Sequence, residues 1–142
     1  MTDSSPSWLF HQSAVVPYRT ANGVLQVALI TSSGGKRWVL PKGVIDPGET
    51  AASSAEREAL EEAGLLGTLS RHPIGQYIYE KWGGTCRVEV YLMAVTEARQ
   101  TWPESDLRTR RWLSVEAAAR RVDEPELKKM IRSVPDHLAA GP

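Results

Sequence analysis

Cysteine is nearly absent: the 142 residues contain one, Cys86, so no internal disulfide can form and a reducing cytoplasm is the expected compartment. Phenylalanine also occurs once, and no apolar run is long enough to cross a bilayer. The opening MTDSSPSW lacks the charged and apolar regions of a secretory signal. Nor is there an excess of charge. Seventeen Lys+Arg face seventeen Asp+Glu, which argues against the broad basic field of a bulk nucleic-acid or membrane binder. What remains, 42% hydrophobic and 24% charged, suits one globular domain with a sizeable core.

One segment departs from this plain background. From Gly43 the chain reads GVIDPGETAASSAEREALEEAGL, with Glu49 six positions on, then Arg57-Glu58, Glu61-Glu62 and Gly64. Thr50 suits an N-cap, residues 51–63 are rich in helix formers, and Gly64 stands where a helix stops. Glu58, Glu61 and Glu62 are then related as i, i+3 and i+4 and share one helix face. Like charges so placed repel unless a cation sits among them, and hard oxygen donors suit Mg²⁺ or Mn²⁺. Three glutamates alone would read as a solvated face. Gly43, Glu49 and Arg57 in register behind the strand-like WVLP turn the reading toward a metal site. Arg57 and Glu49 are expected to form a buried pair that braces the 43–49 loop against the helix. Ala52, Ala55, Ala59 and Ala63 form a stripe that lets the helix lie close to a sheet.

Around this helix, residues 1–12 read as a flexible lead-in, 13–134 as the folded domain and 135–142 as a tail. Strands are expected over 13–18, 24–31 and 37–40, within 65–81, over 87–95 and around 111–113. Ala21-Asn22-Gly23 and Gly83-Gly84 supply turns. Ser114 caps a helix through Arg121, and 124–132 is expected to be the last helix. Cys86 falls in a strand as a buried bystander. This order implies an α/β fold, a mixed sheet with helices on both faces.

The spacing resembles the Nudix box, G-x5-E-x7-R-E-U-x-E-E-x-G-U with U a bulky aliphatic residue. Every fixed polar and glycine position is filled, and the small Ala59 takes the first U. The resemblance implies an α/β/α sandwich and a Mg²⁺-dependent hydrolase that cleaves a diphosphate linkage in a small phosphorylated substrate. It places the metal on Gly43, Glu58, Glu61 and Glu62, and the general base at Glu61, with Glu58 as the alternative. Glu89, Glu97 and Glu104 are candidates for a further carboxylate outside the box. Lys42 is a candidate for a phosphate oxygen or a solvated loop lysine; Arg37 and Lys81 are candidates to line the approach. Tyr77 and Tyr79 read as sheet aromatics or base-stacking platforms. Trp38, Trp82, Trp102 and Trp112 read as packing.

Beyond the box, RWVLPKG, PIGQYIYEK and TRRWLSVEAAARRV resemble diphosphoinositol polyphosphate phosphohydrolases, a subfamily that also cleaves diadenosine polyphosphates. The PKG is shared with dinucleoside tetraphosphate hydrolases. The inositide enzymes carry a basic cluster at the start of the first strand, where this chain has Phe10-His11-Gln12-Ser13. Dinucleoside polyphosphates are therefore the favoured class. The rivals are a nucleoside-triphosphate or RNA-cap pyrophosphohydrolase and a non-catalytic nucleotide-binding domain.

Overall fold

The computed structural model describes residues 9–81 and 83–141. Eight strands form one mixed sheet: β1 Leu9–Ala21, β2 Val24–Thr31, β3 Trp38–Val39, β4 Lys42–Val44, β5 Leu65–Leu69, β6 Gly75–Lys81, β7 Gly84–Ala98 and β8 Arg110–Ser114. The helices are α1 Ala51–Ala63, α2 Val115–Arg121, α3 Pro125–Arg132 and α4 Val134–Ala140. The order β3-β2-β1-β7-β5 forms the spine, with β4 on β1, β6 on β7 and β8 on β2. β1 and β7 run parallel from Leu9↔Thr85 to Tyr18↔Ala94; the other pairs are antiparallel.

β1 is central, and its residues 12–17 are buried without a break. Strand periodicity sends alternate side chains to opposite faces. Ala14 and Val16 join Val27, Leu29, Val88, Val90 and Leu92 beneath Ala118, Leu127, Ile131 and Val134 of α2, α3 and α4. Val15 joins Ala28, Ile30, Tyr91 and Met93 beneath Ala55, Ala59 and Ala63 of α1. Helices on both faces make the α/β/α sandwich, and the alanine stripe of α1 lies on the sheet as expected, with Ala55, Ala59 and Ala63 fully buried.

Several boundaries move. β1 begins at Leu9, so residues 9–12 belong to the sheet rather than to a lead-in; residues 1–8 and Trp82 lie outside the described residues. The 65–81 stretch contains two strands, β5 and β6, and Gly84 already belongs to β7. The 124–132 helix is followed by another, α4, so residues 135–140 are helical rather than a tail. Pro135 sits in the first turn of α4, where a missing N–H costs nothing. The β1–β2 turn is as expected: Asn22 and Gly23 both take positive φ, 53° and 77°, the requirement of a type I′ hairpin.

Gly67 marks an irregularity in the β5–β7 pairing, and a Cβ there would collide with the Ala94 carbonyl oxygen and backbone. Backbone cannot swing aside as a side chain can. Gly67→Ala is therefore expected to cost roughly 2 kcal/mol, read as a lower thermal midpoint. An unchanged midpoint would show that β5 moves freely.

Candidate active site

The helix carrying the carboxylates is fixed at both ends. Thr50 Oγ1 accepts from Ser53 N–H at 3.0 Å, and Thr50 N–H donates to Ser53 Oγ at 3.0 Å, a reciprocal cap. At the other end Gly64 is left-handed with φ 69°, and the Trp102 indole lies against it so closely that no side chain fits. Trp102 Nε1–H donates to the Glu62 carbonyl at 2.8 Å, and Arg110 Nη1–H donates to the Ala63 carbonyl at 2.7 Å. The Arg110 guanidinium lies 4.5 Å from the Trp102 ring centre, which places a cation at the negative end of the helix.

Arg57 is the hub of the box. Its Nε and Nη2 grip both Glu49 oxygens at 2.8 and 2.9 Å, and Nη2 also reaches Asp46 at 3.4 Å. Nη1 donates to Glu58 Oε2 at 3.1 Å and Glu61 Oε2 at 3.2 Å. The expected brace is therefore present, although half-buried rather than buried, and it holds four carboxylates rather than one. Arg57 in turn keeps the Glu49 carboxyl below its ordinary range.

Glu62, on the same face, is held by different partners. It accepts the Lys42 backbone N–H at 3.0 Å and pairs with Arg108 at 3.3 Å. Arg108, nearly buried, also binds Glu104 at 2.9 Å and the Thr31 carbonyl at 3.0 Å. Of the three candidates outside the box, Glu104 lies beside it, its N–H donating to the Glu61 carbonyl at 3.0 Å. Glu97 is exposed and paired with Arg99, and Glu89 lies on β7 opposite Gln76.

The donor chemistry fits a hard divalent ion. Gly43 is a cradle: a Cβ would run into the Glu58 carboxylate, so only glycine lets that group lie against the β4 backbone. Burial, then Glu62 nearby, pushes the Glu58 carboxyl up to about 7, the mark of negative charge crowded into a dry place. Glu62 is raised for the same first reason. The carboxylates do not yet share one focus. Arg57 draws Glu58 and Glu61 while Arg108 draws Glu62, and among the described residues no three acidic or histidine side chains converge as a ligand set.

A pH prediction follows from Glu58. Its folded value lies above the ordinary 4.5, so its charge penalises the metal-free fold increasingly as pH rises from 4.5 through about 7. A bound Mg²⁺ would favour the charged form. The gain in melting temperature on adding Mg²⁺ is expected to be larger at pH 8 than at pH 6, and equal gains would overturn the assignment.

Beside Glu62 opens a cleft of about 250 Å³ lined by Gln12, Arg37, Lys42, Gly43, Tyr79, Lys81 and Arg108 among others. Lys42, the candidate for a phosphate oxygen, thus meets Arg37 and Lys81, candidates for the approach, there. Lys42 is half-buried, its Nζ 5.2 Å from the Tyr79 ring centre; burial, then Lys81 nearby, holds its ammonium below the ordinary range. Tyr79 donates to the Gln12 amide oxygen at 2.6 Å, whereas Tyr77 is buried in the core. A larger hollow of about 880 Å³ beside α4 contains none of the expected site residues. Arg108 and Gln12 were not legible in advance, since their partners Glu62 and Tyr79 lie 46 and 67 positions away.

Comparison with known proteins identifies the family. A family model for the NUDIX domain matches residues 10–134. Nudix hydrolase 16, mitochondrial, of Arabidopsis thaliana is 34% identical over 131 residues, 80% of this chain and 72% of its own length. Diphosphoinositol polyphosphate phosphohydrolase 2 of Rattus norvegicus is 38% identical over 96 residues, 66% of this chain but 52% of its own. The chain also spans about half of Nudix hydrolases 13 and 12 of Arabidopsis thaliana, at 52% and 50%. A solved binary complex of the C. elegans Ap4A hydrolase superposes with a TM-score of 0.74 at 26% identity, covering 92% of this chain and 98% of that one. With the box filled on α1 and the sandwich around it, the chain belongs to the Nudix family of hydrolases.

Proposed function

We propose that this Nudix hydrolase cleaves a diphosphate linkage in dinucleoside polyphosphates, with Mg²⁺ or Mn²⁺ held by Glu58, Glu61, Glu62 and the Gly43 carbonyl. The observation that carries the reading is the cleft itself: Lys42, Arg37 and Lys81 gather beside the box carboxylates, with Tyr79 next to them. A divalent ion there supplies charge neutralisation and a more acidic water. Lys42 sits where a phosphate oxygen would give its ammonium the counter-charge that burial denies it. Glu61, half-exposed and paired with Arg57, takes the proton from the attacking water as the water oxygen bonds to phosphorus and the bridging P–O bond breaks. Glu58 is the alternative base. Arg57 and Glu49 touch no substrate and hold the loop and helix in place.

Charge favours the dinucleoside class. A diphosphoinositol polyphosphate needs many cations, and the start of β1 adds none: His11 is exposed and the Gln12 amide is engaged by Tyr79. The C. elegans Ap4A hydrolase is a structural neighbour, which supports the dinucleotide reading. Diadenosine tetraphosphate is expected to exceed diphosphoinositol pentakisphosphate in kcat/KM by roughly tenfold at matched ionic strength. A preference for the inositide, or for a nucleoside triphosphate or capped RNA in the same panel, would overturn the substrate and leave the family standing.

A further inference from the structure

Next in the chain to Arg37, which lines the cleft, Trp38 carries a second basic group that the box chemistry does not use. Trp38, on β3 between the cleft residues Arg37 and Val39, packs against the same core cluster as Tyr79. Two guanidiniums lie over its ring, Arg111 at 5.7 Å and Arg121 at 5.8 Å from the centre. They come from separate elements, β8 and the end of α2, so local sequence does not force them together. Both side chains are exposed, and among the described residues neither is paired with a carboxylate. The nearby Asp123 is paired with Arg37 at 3.6 Å, which ties the cleft-lining 32–37 loop to the turn after α2.

Two like charges drawn to one indole without an acid between them repel, and the ring face only partly offsets this. The protein nevertheless builds the pair in a chain whose net charge is zero. A guanidinium held over a ring still presents N–H donors along its edge. Those edges are forked donors matched to phosphate oxygens.

We propose that Arg111 and Arg121, carried on Trp38, form a second anion subsite that holds the phosphates of the substrate beyond the cleaved linkage. The subsite rests on the dinucleoside polyphosphate reading and specifies it: it rewards a long phosphate chain that reaches out of the cleft. A substrate with two phosphates would end before it. Because, among the described residues, neither arginine pairs with a box carboxylate, they strengthen binding and leave the chemical step alone.

The test compares wild type with the Arg111→Gln/Arg121→Gln double variant. KM for diadenosine tetraphosphate is expected to rise roughly tenfold with kcat unchanged, while turnover of ADP-ribose, with its two phosphates, is unaffected. Calorimetric binding of inorganic tripolyphosphate should weaken by a similar factor. Both positions are exposed, so the variant is expected to keep the wild-type melting temperature. Unchanged KM and tripolyphosphate affinity would overturn the subsite, as would equal losses on the two substrates. If wild type cleaves no dinucleoside polyphosphate, the substrate reading fails, and tripolyphosphate binding still decides the role of the arginines.

Discussion

Replacing Glu62 by glutamine is expected to lower kcat by at least about 100-fold at saturating Mg²⁺, with the fold retained. The amide oxygen still accepts the Lys42 N–H that the carboxylate now takes at 3.0 Å, so β4 stays docked on α1. Arg108 loses one carboxylate but keeps Glu104 at 2.9 Å and the Thr31 carbonyl at 3.0 Å, so it is not left unpaired. What disappears is one negative charge from the donor set, and a neutral amide is a poor substitute on a hard divalent ion. Kinetics across a Mg²⁺ titration, with a melting curve alongside, check both halves. Wild-type turnover would mean that the cation is held elsewhere. A collapsed melting temperature would mean that Glu62 serves the fold through Arg108.

The contrast between Glu62 and Glu58 illustrates what the sequence conveys and what it withholds. That both lie on one face of a capped helix is local information, carried by the 3.6-residue period, Thr50 and Gly64, and α1 has the expected bounds. The Arg57–Glu49 brace is nearly as local, eight residues apart. Glu62 is turned toward Arg108 and the Lys42 backbone by packing between distant segments, which no spacing rule encodes. The same holds for Trp102 and Arg110, which cap α1 from 40 and 47 residues away, and for Glu104, which the 100–107 loop folds back onto the box. One omission did have a local signal. Pro135 stands at the start of the expected tail, yet proline is at home in a first helical turn, and Val134, the first residue of α4, is buried.

Arg57→Ala is expected to damage stability and rate together, which separates it from Glu62→Gln. The substitution removes a two-point grip on Glu49 and frees Glu58 and Glu61 to repel each other without a cation between them. Breaking such a network in a dry site would cost more. Here the arginine is about one-third exposed, so water screens part of the loss and the expected cost is roughly 2 kcal/mol. For a domain of this size that is a fall of roughly 6 °C in melting temperature. Lysine should recover little, since an ammonium cannot hold both Glu49 oxygens in a fork. The discriminating measurement is the effect of Mg²⁺. With Arg57 gone, Glu58 and Glu61 lose their resident positive charge, so the variant should gain more melting temperature from Mg²⁺ than wild type does. If Arg57 instead bound substrate, the variant would keep the wild-type melting temperature and show its loss in KM alone.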